Sequence, residues 1–252
     1  MTDQNVKSIT AAILVIGDEI LSGRTKDKNI GYIAEYLTNI GIDLKQVRVV
    51  PDEEDDVVEA LNALRARFTY VFTTGGIGPT HDDITADCVA KAFGVTIGHD
   101  PRAVAMLNER YKPEELNEAR LRMARIPAGA DLIENPISRA PGFKIGNVIV
   151  MAGVPSIMQA MLDNVSPTLA TGAKMIAESI DANGLPEGLY ASALGIIATA
   201  NPNVSIGSYP SFINGGFRNQ IVVRGKDGTA VSQAVEAIVT AISTLKTDHV
   251  PA

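Results

Sequence analysis

Three glycines and two adjacent acids fall within one short stretch, Tyr70–Thr85, which reads YVFTTGGIGPTHDDIT. Gly75, Gly76 and Gly78 let backbone N–H groups come close to a ligand. A helix starting after Thr85 adds partial positive charge at the same place, which suits an anion. Thr74, Pro79 and Thr80 complete the loop. Asp82 and Asp83 would repel a phosphate unless a cation lies between them. The combination points to phosphate or pyrophosphate together with a divalent metal, Mg²⁺, Mn²⁺ or Co²⁺. The loop is not a Walker A loop, because no Gly-Lys-Ser/Thr follows, and it is not G-x-G-x-x-G. Three glycines alone would mean only a tight turn. Either Asp could cap the next helix, but one cap needs one residue, so the second acid is surplus.

More acids stand at comparable places. Asp18 and Glu19 follow the apolar run Ala11–Ile16 (AAILVI), and Asp52 follows Leu44–Val50. A structural turn is the plain reading of Asp18 and Glu19, and a helix cap that of Asp52. His81 beside the acids offers a base or a phosphate donor, or simply a solvent-facing loop residue. His99 and His249 have no supporting cluster. Cys88 is the only cysteine, so it forms no intrachain disulfide; its helical setting reads as a small buried hydrophobe. No Ser-His-Asp or Cys-His pattern suggests covalent catalysis.

The elements that must position these residues follow from periodicity. Ala11–Ile16 reads as a strand buried on both faces. Apolar positions at Ile30, Ile33, Ala34 and Leu37 predict a helix from Asn29 that Gly41 ends. A second strand is expected over Leu44–Val50, a helix over Glu53–Phe68 with its acids in the first turn, a third strand over Tyr70–Thr73, and a helix over Thr85–Phe93. Three βα units in a row imply a parallel sheet with right-handed crossovers and helices on both faces. Ligands of such sheets sit at the carboxyl ends of the strands, the edge that collects Asp18, Asp52, Asp82 and Asp83.

Further along, Pro101–Arg125 reads as a charged helical stretch. It is either a solvated face or a lid or dimer arm lending a cation to the site. Ile126–Phe143 reads as irregular connection with a short strand. Asn147–Met151 is a buried strand, and Gly153-Val154-Pro155 leads from it into a helix, a second backbone loop for the site. The pattern weakens over Pro167–Gly188, where a domain boundary is expected. Beyond it come a helix (Leu189–Ala200), a strand (Val204–Tyr209), a turn at Asn214-Gly215-Gly216, a strand (Asn219–Val223) and a helix (Val231–Leu245). These fit a small α+β domain.

Composition sets bounds. A chain of 252 residues accommodates one large or two small domains. A net charge of −7 leaves little basic charge for a nucleic-acid-binding face. No apolar run approaches the roughly 20 residues that span a bilayer. The first ten residues lack a signal-peptide layout, so a soluble cytoplasmic protein is expected. A homo-oligomer is expected as well, with Pro101–Arg125 reaching across a symmetric interface.

Several motifs together resemble the MoaB/Mog-type molybdopterin-binding superfamily. They are GDEIL-SG at Gly17–Gly23 with Asp27 and Asn29, TTGGIGPTHDDIT at Thr73–Thr85, NP-x3-APGF at Asn135–Phe143, and AGVPSIM at Ala152–Met158. Within it the chain looks like the N-terminal domain of CinA and is similar to the molybdopterin-binding-like domain of FAD synthase; IGSYP at Ile206–Pro210 resembles the latter. The resemblance implies a three-layer α/β fold with a mostly parallel sheet over residues 8–165, and a small C-terminal α+β domain over 170–250. It implies either metal-dependent hydrolysis of a nucleotide pyrophosphate such as ADP-ribose or FAD, or binding or adenylylation of molybdopterin.

By position, the Asp of the Mog loop matches Asp83, the Asp after the second strand matches Asp52, and Thr-Gly-Gly matches Thr74, Gly75 and Gly76. Where Mog-type members carry Arg, this chain has Asp82, which favours a metal and the pyrophosphatase branch. Ala152 replaces the proline usual in CinA, freeing a backbone N–H. CinA carries a further amidase domain; the sequence ends at Ala252, so deamidation is not expected. The expected site therefore uses Gly75, Gly76 and Gly78 as a phosphate cradle. Asp82, Asp83 and Asp18 hold the metal, with Asp52 beside them. Thr74, Thr80, Ser22, Asn29, Pro79, Gly153 and Pro155 contact the substrate.

Overall fold

Six apolar residues in succession offer water no face, so Ala11–Ile16 must be covered on both sides. In the computed structural model, which describes residues 8–213 and 216–248, this run is β1 (Thr10–Ile16), and none of the six is more than 3% exposed. The chain continues through α1 (Asp18–Leu21), α2 (Asn29–Asn39), β2 (Asp43–Val50), α3 (Glu54–Arg65), β3 (Tyr70–Thr74) and α4 (Thr85–Phe93). Then come β4 (Ile97–His99), α5 (Pro101–Asn108), α6 (Glu118–Arg122), β5 (Arg125–Pro127), β6 (Asp131–Ile133), β7 (Gly142–Ile145), β8 (Val148–Met151) and α7 (Pro155–Val165).

The main sheet has the order β2-β1-β3-β8-β7-β6. β2, β1, β3 and β8 run parallel, and β7 and β6 add an antiparallel edge. Because side chains alternate along a strand, β1 feeds two cores. Ala12, Leu14 and Ile16 pack with Val57, Leu61 and Leu64 of α3 and with Cys88 and Val89 of α4. Ala11, Ile13 and Val15 pack with Ile33 and Leu37 of α2 and with Met158 and Leu162 of α7. The expected three-layer α/β architecture is thus present. Cys88 is fully buried, as its helical setting implies. Burial pushes its thiol up to about 12, with the Glu54 and Asp87 charges adding to the effect.

Two stretches take a more definite form. Pro101–Arg125 is helical in separate pieces. Pro113 cannot continue an α-helix, because it lacks an N–H. The stretch breaks into α5, a single 3₁₀ turn at Pro113–Glu115, and α6. Asp100 and Asn117 cap the two helices by accepting from the N–H groups of Arg102 (2.8 Å) and Arg120 (3.0 Å). Residues 126–143 hold more than the one short strand expected: β6 and parts of β5 and β7 fall there between turns, and β5 pairs antiparallel with β4 in a separate ribbon.

The chain divides into two compact units between Gly172 and Ala173. The second contains β9 (Ile176–Asp181), α8 (Glu187–Ala200), β10 (Val204–Tyr209), β11 (Phe212–Ile213), β12 (Gly216–Phe217), β13 (Gln220–Gly225) and α9 (Gly228–Asp248). Its antiparallel sheet has the order β10-β13-β9. Its core joins Ile180, Tyr190, Ile221, Val223, Val231 and Ile238. β9 falls where the sequence pattern looked weak. In the turn expected at Asn214-Gly215-Gly216, Asn214 and Gly215 lie outside the described residues, as does His249. Among the described residues no helix is long and apolar enough to cross a membrane.

Candidate functional site

β3 ends in Thr73 and Thr74, both buried. The chain then turns at Gly75 (φ 103°) and Gly76 (φ 66°), a left-handed conformation open to glycine. A Cβ on Gly75 would lie 2.1 Å from the Ile16 carbonyl oxygen, and one on Gly76 would lie 2.2 Å from Thr85 Oγ1. Thr85 ties the loop to α4: its hydroxyl donates to the Gly75 carbonyl (2.9 Å), and its N–H donates to that of Gly76 (3.0 Å). The Gly75 N–H is already committed to the Met151 carbonyl (3.3 Å). The N–H groups of Gly76, Ile77 and Gly78 meet no acceptor among the described residues. The N–H groups the loop leaves open are therefore those of Gly76–Gly78, and that of Gly75, counted in the expected cradle, is not among them.

The two loop acids separate. Asp83 Oδ2 accepts from the Thr80 N–H (2.8 Å) and the Thr80 hydroxyl (2.6 Å). Its carboxylate lies where a Cβ on Gly78 would be, 2.6 Å away. Asp83 thus braces the loop, and neither acid caps α4, whose N-cap is Ile84. Asp82 is exposed, 3.8 Å from His81 Nδ1, which is itself almost fully exposed. Arg122 of α6 donates to the Asp83 carbonyl (3.3 Å), and its Nε is buried without a partner. A cation does reach the loop from the charged stretch.

Asp52 caps nothing either. Glu53 is the N-cap of α3, while Asp52 Oδ2 accepts from the Asp18 N–H (2.9 Å), joining the ends of β1 and β2. Burial raises the Asp52 pKa above the usual carboxylate range. The charges of Asp18, Glu19 and Asp82 push the same way, against the Asp18 N–H. Acids that follow β1 and β3 thus act on the one that follows β2.

A narrow cleft of about 10 Å³, lined by Gly76–Gly78, Asp83 and Arg122 among others, and two roomier cavities adjoin the loop. The larger, about 570 Å³, is lined by Gly75–Pro79, Asp83, Tyr111, Arg120, Asn135 and Met161, among others. The smaller, about 220 Å³, is lined by Asp27, Asn29, Thr74, Pro155, Lys26 and Lys28, among others. Gly75, Gly153 and Glu19 belong to both walls. Gly153 is close enough that a Cβ on it would lie 3.3 Å from the Gly75 Cα. Of the expected substrate contacts, Thr74, Gly75, Gly76, Gly78, Pro79, Asn29, Gly153 and Pro155 line these cavities. Ser22 and Thr80 do not: Ser22 is exposed and closes α1 through its N–H to the Asp18 carbonyl (2.9 Å). Glu19, Tyr111, Arg120 and Arg122 were not among the expected site residues: Glu19 read as a turn, and the two arginines only as part of the charged stretch Pro101–Arg125. Asn135 shapes its loop by accepting from the N–H groups of Ile137 and Ser138 and donating to the Ala140 carbonyl. The N–H freed at Ala152 donates to Met161 Sδ (3.4 Å).

Carboxylate oxygens suit a hard divalent cation. Among the described residues, however, no three His, Cys, Asp or Glu side chains gather into a metal-holding group. The donor set fits a cation held by one or two carboxylates and completed by ligand oxygens, as Mg²⁺ often is. It does not fit an all-protein cage, and Asp83 is taken up by Thr80.

A mostly parallel three-layer sheet with a glycine loop at its carboxyl edge defines a ligand-binding α/β protein. Residues 12–171 match the family described as probable molybdopterin binding domain (MoCF_biosynth), and the chain belongs to that family. Residues 174–249 match the FAD synthase middle domain. A protein of Pyrobaculum calidifontis is 35% identical over 211 residues, covering 80% of this chain and 80% of its own. One from Archaeoglobus fulgidus is 31% identical over 226 residues, 89% and 94% of the two chains. The crystal structure of the protein CinA with unknown function from Thermoplasma acidophilum is 35% identical and superimposes with a TM-score of 0.61. It covers 64% of this chain and 98% of that one.

Proposed function

We propose that the chain is a divalent-metal-dependent pyrophosphatase acting on a nucleotide pyrophosphate such as ADP-ribose or FAD. The carrying observation is that Asp18, Glu19 and Asp82 come close enough to act on Asp52, at the sheet edge that also presents the unpaired N–H groups of Gly76–Gly78. The N–H groups would hold one phosphate, with Arg122 adding positive charge behind the loop. Asp52 and Asp82 would hold the cation together with phosphate oxygens. When bound, the cation neutralises developing charge and lowers the pKa of an attacking water. Glu19 lines both cavity walls and would serve as the base for an attacking water. Asp83 keeps the loop in shape.

The test is release of AMP from ADP-ribose and FAD with Mg²⁺, Mn²⁺ or Co²⁺. Asp52→Ala and Asp82→Ala are expected to lower kcat/KM by at least about tenfold. Asp83→Ala should lower the melting temperature as well as activity, because it frees the Thr80 N–H. Unchanged activity in both Asp52→Ala and Asp82→Ala would sink the metal assignment.

A second reading is pterin binding without hydrolysis. It is favoured by the family description over residues 12–171 and by the apolar and aromatic wall of the larger cavity, with Tyr111 and Met161. Saturable quenching of pterin fluorescence, with no turnover under any metal, would select it.

A further inference from the structure

Asn29 and Thr74 are 4% and 1% exposed, yet Asn29 Oδ1 and Thr74 Oγ1 have no hydrogen-bond partner. Buried polar atoms are nearly always paired, because burying one bare is costly. Both residues line the smaller cavity. We propose that this cavity is a separate subsite for a phosphorylated sugar half of the ligand, whose hydroxyls pair with these two atoms. The proposal rests on the reading of Gly76–Gly78 as a phosphate cradle.

The chemistry of the bare atoms selects the ligand group. Asn29 Nδ2 donates to the Gly153 carbonyl (2.8 Å), which fixes the amide and leaves Oδ1 as a pure acceptor. The first two amides of α2, from Asn29 and Ile30, both go to Asp27 Oδ1 (3.0 and 2.7 Å). These two leading N–H groups are therefore taken and do not recruit a phosphate there. A phosphate oxygen would face an acceptor at Asn29. A hydroxyl donates to Asn29 Oδ1 and can exchange a hydrogen bond with Thr74 Oγ1, which both gives and accepts.

Shape separates the two halves of the ligand. No aromatic residue lines the smaller cavity, whereas Tyr111 lines the larger one, with the Arg120 guanidinium 4.3 Å over its ring. A flat base suits the larger wall and a non-planar polyol the smaller. Gly75 and Gly153 stand in both walls, so a phosphate at Gly76–Gly78, in the larger wall, would lie next to the junction. Lys26 and Lys28 line the smaller cavity and supply charge for a terminal phosphate.

Calorimetric titration of the whole chain with ribose 5-phosphate, 2-deoxyribose 5-phosphate and AMP tests this, comparing wild type with Thr74→Val. Wild type should bind ribose 5-phosphate about tenfold more tightly than its deoxy analogue, the usual weight of one hydrogen bond. Thr74→Val should weaken ribose 5-phosphate about tenfold while AMP affinity stays within about twofold. Without ligand, Thr74→Val should melt no lower than wild type, since it deletes an unpaired hydroxyl and keeps the volume. Equal affinity for the two sugar phosphates, equal weakening of AMP, or a lower melting temperature would each overturn the subsite. Binding of AMP without ribose 5-phosphate sinks the subsite alone. Binding of neither sinks the phosphate cradle and the subsite together.

Discussion

Asp52 shows what a single residue gives up for a site. Its folded pKa lies above its unfolded value, with burial the first cause. At a pH below both values the carboxyl is neutral in both states and costs nothing. Above the folded value it is ionised and costs stability, so stability falls as pH rises through that window. Asp52→Asn keeps an oxygen for the Asp18 N–H and removes the charge. The variant should melt about 1–2 °C above wild type at pH 7, and the gain should vanish below about pH 4, where carboxylates protonate. Thermal scans across pH read both arms; a gain that persists in acid would mean the charge is not its source. From the sequence Asp52 looked as much like a helix cap as a site acid. Its bond to Asp18 joins residues 34 positions apart, a relation no local pattern contains.

At the scale of elements, the β3–loop–α4 unit was legible because glycines, threonines and the onset of helical periodicity occur together in sequence. β1 was legible for a similar reason, since an unbroken apolar run excludes a solvated face. The three-residue strands β5 and β6 were not, being too short to show a period of two. β9 was not, because only Ile180 of its six residues is buried. The glycine loop carries a contrast that tests its geometry. Gly75→Ala adds left-handed strain and a 2.1 Å clash with the Ile16 carbonyl. It should cost at least about 3 kcal/mol in denaturant unfolding and abolish phosphate binding. Gly23→Ala (φ 72°) meets nothing within 4 Å and should cost only about 1 kcal/mol, with binding kept. Similar losses at both positions would remove the close approach to Ile16 as the reason for Gly75.

At the scale of the whole molecule, the two units have separate cores. Each of these is a basis for cooperative unfolding of its own. Scanning calorimetry should resolve two transitions, and a nucleotide ligand should raise only the one belonging to the N-terminal unit, by mass action. A single transition that rises as a whole would show the units to be energetically coupled. The division itself was legible, since the pattern weakens near Pro167. The pairing order of the second sheet was not, because β9 and β13 are separated by most of that unit.

The lone cysteine gives the chain a clock of its own. Cys88 sits wholly inside the layer that packs α4 against the sheet, and its thiol is held almost entirely in the unreactive protonated form. A thiol reagent meets it only when that layer opens, so the rate of labelling counts openings of the helix that carries the glycine loop. No second thiol competes for the reagent, and no engineered label is needed to time the breathing of the site.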